Sequence, residues 1–190
     1  GAKKEFSHIA SLFLGLLGFI VIMISIWIPE IMRLKIGSNY LIGDSFWSAE
    51  KIVSIVLIGY FFFGTYVIQL PGVYAKEITT WIPIFRAIGA ISNISLNILL
   101  IPKYGVLGSA WATAISFVIM SLSVFIKLFN VYYVKYNLKA ILYPILFMII
   151  IFSSLQSFFI KVFTGFIYWV GWYFLAISKS ERTIIKDLLN

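Results

Sequence analysis

Asn93–Thr113 reads NISLNILLIPKYGVLGSAWAT, and this stretch decides the fold. An apolar segment containing two asparagines leads through a Pro-Lys-Tyr-Gly break into a second apolar segment that begins with small residues. Neither segment alternates polar and apolar residues with period two, as strands of an outer-membrane barrel would. Because backbone groups in lipid must be hydrogen-bonded within their own segment, we predict two membrane-spanning helices joined by a turn.

The composition of the whole chain agrees with a membrane protein. Of its 190 residues, 62% are hydrophobic, 18% are aromatic and only 12% are charged. A soluble globular chain is about half apolar and about a quarter charged, so lipid is the fitting solvent here. The formal net charge of +8 would indicate nucleic-acid binding in a soluble protein. Membrane proteins collect Lys and Arg in their cytoplasmic loops, so we expect no nucleic-acid partner.

The sequence contains no residues arranged as an enzyme active site. Cysteine is absent, which excludes a disulfide framework, a thiol nucleophile and a thiolate metal site. The single histidine, His8, lies near Lys3, Lys4 and Glu5, as expected of a solvated flank. No acidic cluster or Gly-rich phosphate loop is present. We therefore predict a protein that is not an enzyme and that has no catalytic residues, metal or cofactor.

Six apolar runs are long enough to cross a hydrocarbon core of about 30 Å, which needs roughly 20 helical residues. The sixth run is short and aromatic, so it could be tilted or interfacial. The connection Pro29–Glu50 is predicted to begin with a short amphipathic helix, and the tail from Ser178 to form a cytoplasmic end helix. The predicted fold is a single all-α transmembrane domain over residues 1–190, with spans at about 9–28, 52–70, 81–101, 106–126, 140–160 and 162–177.

The distribution of Lys and Arg predicts that both termini are cytoplasmic. With the N-terminus inside, twice as many of the 15 Lys and Arg residues lie on the inner side as on the outer side. Lys103 then lies outside, while Lys139 and Lys179 lie inside. The chain begins with Gly1 rather than Met, so we expect a fragment or a processed product.

One face of the predicted third span is polar. At 100° per residue, Arg86, Asn93 and Asn97 fall within a sector of roughly 60°. Exposing these groups to acyl chains would cost on the order of several kcal/mol, so we expect this face to contact protein or water. Two interpretations stay open. The face lines a water-filled pathway, or the asparagines hydrogen-bond to another helix while Arg86 snorkels to the headgroups.

The predicted fourth span instead carries a band of small residues that includes Gly105, Gly108 and Ala112. Such bands allow the backbones of two helices to approach closely where no hydrophobic effect drives them together. We therefore assign these three residues to helix packing.

The stretch Asn93–Thr113 also resembles a known family. An Asn-rich helix, then Ile-Pro-x-Tyr-Gly, then Gly-x-x-Gly-[Ser/Ala]-Ala-x-Ala-Thr is similar to the C-terminal lobe of Wzx-type polysaccharide flippases. Their superfamily also contains the multidrug (MATE) exporters and the lipid II flippase. The matching positions are Asn93, Asn97, Ile101, Pro102, Tyr104, Gly105, Gly108, Ala110, Ala112 and Thr113. Pro29-Glu30-Ile31 followed by Gly37-Ser38-x-Tyr40 is similar to a segment after an earlier helix of the family.

The resemblance implies the second lobe of a bilobed transporter in the bacterial plasma membrane, with the N-terminal lobe of the same protein as a partner. It further implies an undecaprenyl-pyrophosphate-linked oligosaccharide as the substrate, moved from the cytoplasmic to the periplasmic leaflet by alternating access. The sugar head would travel through a polar cavity while the lipid tail stays in membrane lipid. Arg86, Asn93 and Asn97 would then line the substrate pathway.

Three other functions remain open for the sequence. A MATE-type drug or cation exporter would favour carboxylates and aromatic residues in its cavity, whereas the polar face here carries a guanidinium and amides. A membrane enzyme of the same pathway is expected to carry a large periplasmic loop with catalytic residues. A non-transporting membrane scaffold is not excluded by any residue.

Overall fold

The computed structural model describes residues 1–152 and 157–189, and over these ranges the chain is almost entirely helical. A short hairpin of two strands, Lys35–Ile36 and Asn39–Tyr40, and a 3₁₀ helix, Asp44–Ala49, interrupt the helices near the start. The α-helices are α1 (Ala2–Met32), α2 (Glu50–Val67), α3 (Leu70–Ala75), α4 (Trp81–Tyr104), α5 (Val106–Val131), α6 (Leu138–Phe152), α7 (Phe158–Gly171) and α8 (Lys179–Leu189).

The predicted fold class, an all-α polytopic membrane protein, is confirmed. Among the described residues, the helical stretches long and apolar enough to cross a membrane are Ala2–Met32, Asp44–Ala75, Trp81–Tyr104, Val106–Val131 and Phe158–Ala176. The apolar part of α6, Leu138–Ile149, is shorter. Part of the predicted span 140–160 lies outside the described residues, because residues 153–156 are not among them.

Two boundaries differ from the sequence-based expectation. α1 does not stop before Pro29 but continues to Met32, where the Arg33 amide still donates to the Pro29 carbonyl at 3.2 Å. A proline inside a helix removes one backbone bond without requiring the helix to end. The predicted amphipathic helix at Pro29 is therefore the last turn of α1. α7 begins at Phe158, about one turn before the predicted start, and a π-helical turn, Trp172–Ala176, extends it.

The chain forms two compact units. The central unit comprises Trp27–Tyr133, and the terminal unit combines Gly1–Ile26 with Val134–Asn190. In the central unit, α5 packs against both α2 and α4. Buried side chains from these helices and from α3 form one apolar core, which contains Tyr66, Val73, Phe85, Met120, Val124 and Leu128.

The terminal unit is organised around one buried tyrosine. Tyr168 of α7 is fully buried and donates its hydroxyl to the Gly15 carbonyl of α1 at 2.7 Å. Its own carbonyl accepts a hydrogen bond from the Tyr143 hydroxyl of α6 at 3.1 Å. The Phe19 and Tyr143 rings lie 5.8 and 5.4 Å from the Tyr168 ring, within the range of favourable aromatic contacts.

Candidate functional site

α4 and α5 form a hairpin with a single residue, Gly105, between them. Gly105 has φ +57°, a conformation that glycine adopts at little cost and that other residues avoid. Its amide donates to the Ile101 carbonyl at 2.8 Å, which closes the end of α4. Gly105 is exposed, and a Cβ there would meet nothing within 4 Å. The structure thus gives Gly105 a role in the turn, where the sequence predicted packing.

The other two small residues lie inside the hairpin. Gly108 and Ala112 are both buried. A Cβ at Gly108 would overlap the backbone carbonyl of Leu100 in α4, so only glycine fits without displacing that backbone. On the facing helix, a Cβ at Gly89 would lie 3.2 Å from the Met120 sulfur. Close backbone approach of this kind is typical of small residues between membrane helices.

The two asparagines form a chain of hydrogen bonds that reaches α5. Asn97 Nδ2 donates to Asn93 Oδ1 at 3.0 Å, and Asn93 Nδ2 donates to Thr113 Oγ1 at 3.4 Å. Thr113 in turn donates to the Ser109 carbonyl at 3.1 Å. Sequence reasoning missed Thr113 as a partner of the asparagines. Reflecting α4 onto α5 about Gly105 places Thr113 at the depth of Asn97, one turn from its partner Asn93, so that symmetry indicates only the approximate level of the contact.

One hydrogen-bond acceptor among these amides has no partner. Asn97 Oδ1 is buried and accepts no hydrogen bond from any described residue. A buried amide oxygen without a partner costs about 1–3 kcal/mol, so such an atom normally meets a water or another polar group. The hydrogen-bonded row of amides therefore lacks one partner among the described residues of the protein.

Arg86 lies on the same helix face but is separate from the amide chain. Its side chain is exposed, and among the described residues it has no hydrogen-bond or ion-pair partner. α4 is also the least covered of the long apolar helices, with 11% of its apolar window buried against 44% for α1. Phe85 and Gly89 are its buried residues. Most of α4, including the Arg86 side chain, is therefore uncovered by the central unit, whereas Asn93 and Asn97 are half-buried.

A second polar cluster, which sequence reasoning missed, lies where α2 breaks before α3. Gln69 Nε2 donates to the Thr65 carbonyl at 2.7 Å and to Ser121 Oγ of α5 at 3.1 Å. Thr65 Oγ1 and Ser121 Oγ share a hydrogen bond of 2.7 Å. All three residues are buried, and Gln69 Oε1 has no partner among the described residues. This cluster joins α2 to α5 and faces the core rather than the Arg86 face.

The described residues contain no group of three or more His, Cys, Asp or Glu side chains that could hold a metal ion. Of the predicted pathway residues, the structure brings Asn93 and Asn97 into direct contact and leaves Arg86 apart from them. The arrangement can offer hydrogen bonds and one positive charge, with no nucleophile or general base beside them.

The arrangement of helices was compared with solved structures. The fold is similar to part of one solved membrane transporter. The chain is similar to the lipid II flippase MurJ in its inward closed conformation, with a TM-score of 0.67 and 21% sequence identity. The match covers 99% of this chain and 40% of that protein, so the chain spans less than half of its length. No protein-family model matches the sequence, and no curated protein matches it significantly.

Proposed function

We propose that this chain is the C-terminal part of a transporter that moves a lipid-linked oligosaccharide across the bacterial plasma membrane. The N-terminal lobe of the same protein would complete the central cavity, and alternating access would carry the sugar head from the cytoplasmic to the periplasmic leaflet. The observation that carries this proposal is the uncovered face of α4. It presents an unpaired guanidinium and an incomplete amide chain within a flippase-type fold.

The cost of leaving this face in lipid supports the proposal. An arginine at the centre of a membrane helix costs about 2.5–3.5 kcal/mol on insertion scales, and one nearer a helix end costs less because it can snorkel to the headgroups. Arg86 lies five positions after Trp81, so it is about 7.5 Å along α4 at 1.5 Å per residue. With both termini cytoplasmic, this depth corresponds to the inner mouth of a cavity. A water-filled cavity would solvate the guanidinium there.

The residue types fit an undecaprenyl-pyrophosphate-linked oligosaccharide. Guanidinium groups bind phosphate oxygens through two parallel hydrogen bonds, so Arg86 would attract the pyrophosphate at the mouth. Asn93 and Asn97 would exchange hydrogen bonds with sugar hydroxyls deeper in the cavity. The lipid tail would stay in the bilayer. No covalent step is needed, so this substrate pathway requires no catalytic residue.

Replacing Arg86 in the full-length protein tests the proposal. We expect Arg86→Ala to abolish glycan export while the protein accumulates normally, because an exposed side chain contributes little to packing. Arg86→Lys should restore part of the export, since Lys keeps the charge but loses the bidentate geometry. Lys103→Ala is the matched control, an exposed cation near the other end of α4. Surface glycan and membrane protein level are measured for each variant. Normal export by Arg86→Ala would refute the assignment.

The contact between Asn93 and Thr113 supports the other role, hydrogen bonding between helices. Thr113→Val removes this contact and leaves both asparagines and Arg86 in place. If the amides serve mainly to join α4 to α5, Thr113→Val and Asn97→Leu will lower the folded yield together. If they line the pathway, Asn97→Leu will reduce export more than yield, and Thr113→Val will export nearly normally.

A further inference from the structure

The terminal unit contains an apolar cavity of about 490 Å³ between α1, α7, the π-helical turn and α8. Its walls include Leu12, Leu16, Val170, Tyr173, Phe174 and Ile185. The volume lies within the range of about 300–1,000 Å³ that is usual for sites binding small molecules. The lining is almost wholly hydrocarbon and aromatic. A hydrocarbon chain is the kind of ligand that such walls accommodate.

A cation lies at the edge of this cavity. The Arg182 guanidinium carbon is 5.3 Å from the centre of the Tyr173 ring and 5.7 Å from that of Phe174, and both rings line the cavity. Its Nη2 donates to the Phe174 carbonyl at 2.8 Å. Among the described residues, Arg182 pairs with no carboxylate, and its hydrogen bonds are both made by Nη2, the second to the Ile177 carbonyl at 3.4 Å. Its Nε is buried, so Nη1 is the nitrogen left to donate to a headgroup.

The neighbouring carboxylate is occupied elsewhere. Glu181 Oε2 accepts from the Ser178 amide at 2.6 Å and from Asn137 Nδ2 at 3.1 Å, while the Glu181 amide donates back to Ser178 Oγ at 3.3 Å. This reciprocal pair is a capping box at the start of α8. Burial alone would raise the pKa of Glu181, but hydrogen bonds from Ser11, Ser178 and Asn137 hold that pKa below its usual value. Glu181 thus stays engaged with these donors and does not pair with Arg182.

Basic residues surround the same end of the unit. Hydrogen bonds join the start of α1 to the segment before α6, through Ser7 and Lys135 at 2.9 Å, and to α8, through His8 and Ser180 at 3.2 Å. Exposed lysines from all these segments collect there, namely Lys3, Lys4, Lys135, Lys139, Lys179 and Lys186. Such clusters beside a membrane helix or on an amphipathic helix are typical of binding to anionic lipids. Trp169, Trp172 and Tyr173 are residue types enriched at this interfacial level.

We propose that the terminal unit binds one anionic glycerophospholipid at this end, with an acyl chain in the cavity and the headgroup phosphate on Arg182. The apolar walls select a hydrocarbon chain, and the fixed guanidinium with its surrounding lysines selects a negative headgroup. The site is separate from the α4 face and does not depend on what the protein transports.

Lipid retention by the intact protein tests this site. The purified protein is titrated with phosphatidylglycerol or phosphatidylcholine of matched chain length, and bound lipid is counted by native mass spectrometry. We expect the wild type to retain phosphatidylglycerol about tenfold more tightly than phosphatidylcholine, because both lipids carry the phosphate but the choline cation would be repelled by Arg182 and the lysines. Arg182→Gln should remove most of this preference, and Arg182→Lys should keep part of it. Lys103→Gln, which removes an exposed charge outside the terminal unit, is the matched control and should keep all of it.

A second variant addresses the cavity. Leu16→Trp fills it from a half-exposed position, so the fold should tolerate the change while phosphatidylglycerol retention falls. If Arg182→Gln does not accumulate, Leu16→Trp decides the question by itself. Equal retention of the two lipids by the wild type would overturn the proposal, as would unchanged retention in either variant. Displacement of phosphatidylglycerol by an equimolar polyprenyl phosphate would also overturn it, because the cavity would then belong to a carrier lipid.

Discussion

The central and terminal units hold their helices together in different ways. In the central unit, two glycines lie against the backbone of a neighbouring helix. A Cβ at Gly59 would be 3.0 Å from the Ala114 Cα, and one at Gly108 would overlap the Leu100 carbonyl. In the terminal unit, glycines face side chains instead. A Cβ at Gly18 would lie 2.6 Å from Pro144 Cβ and 2.7 Å from the Tyr168 hydroxyl. Among the described glycines, only those of the central unit admit a second backbone, although Gly89 there admits the Met120 side chain.

The hydrogen bonds between helices also differ between the two units. In the central unit they lie within the helices, as Thr65 with Ser121 and Asn93 with Thr113. In the terminal unit, the polar contacts away from its basic end include the ring hydroxyls of Tyr143 and Tyr168 bonded to carbonyls.

The largest expected effect is at Gly108. Because its neighbour is backbone, Gly108→Leu should separate α4 from α5 and destabilise the fold by about 1–3 kcal/mol or more. Folded yield and thermal unfolding in detergent measure this. Gly43→Ala is the control, since Gly43 has φ −54° and no neighbour closer than 3.9 Å to an added Cβ. A Gly108→Leu protein that melts like the wild type would show that the hairpin is not closely packed.

Gly15 sharpens the comparison. An added Cβ there overlaps the Trp172 ring, so Gly15→Ala should destabilise the protein by about 1–3 kcal/mol. Trp172→Leu will itself cost stability because Trp172 is buried, but the double variant should lose less than the two single losses added together, since the obstacle to the new methyl group is a side chain. For Gly108→Ala with Leu100→Ala the losses should simply add, since the obstacle there is a carbonyl oxygen. The same coupling in both pairs, or in neither, would contradict this difference between the units.

Thr65 gives a smaller effect. Thr65→Val keeps the shape of the side chain but removes its hydrogen bond to Ser121, so we expect a loss of about 0.6–2 kcal/mol. Thr79→Val is the matched control, because Thr79 is exposed in the turn before α4. Equal melting temperatures for the two variants would show that this buried polar cluster does not stabilise the central unit.

The smallest effect concerns the capping box in the terminal unit. Since the folded pKa of Glu181 is lowered, its stabilising contribution is complete above the unfolded pKa of about 4.3 and is lost as pH falls through the folded value. Glu181→Gln should therefore cost about 1 kcal/mol at neutral pH, and the difference from wild type should shrink on acidification. Melting temperatures across that acid range measure it. A difference that grows on acidification would mean that the carboxyl acts in its protonated form.

The fold class follows from the sequence because apolar runs of membrane-spanning length leave the backbone little choice but helix. The resemblance at Asn93–Thr113 likewise pointed to a flippase-type fold. Finer features depend on contacts that no local pattern contains. Gly15, for example, must lack a side chain because the ring of Trp172, a residue far along the sequence, lies against it. Pro29 shows the limit of local rules, since losing one bond did not end α1.

The candidate site was only partly predictable for the same reason. The shared face of Arg86, Asn93 and Asn97 follows from helix geometry alone. To predict Thr113 as the partner of Asn93, one must know that Gly105 alone separates α4 from α5. The sequence does not show how short this turn is. The capping box of Ser178 and Glu181 was visible as the pattern Ser-x-x-Glu at the start of the tail.

The single-residue turn at Gly105 also bears on how the protein is made. No loop is available to hold α4 in the bilayer while α5 is still being synthesised, so the two should leave the translocon together as a hairpin. α4 has lower hydropathy, at 1.7 against 2.0 for α5, and carries Arg86 as well as both asparagines. Partition of α4 alone into lipid would therefore be less favourable than partition of α5. We therefore expect α5, which is more apolar and offers Thr113 as an acceptor for Asn93, to assist the insertion of α4.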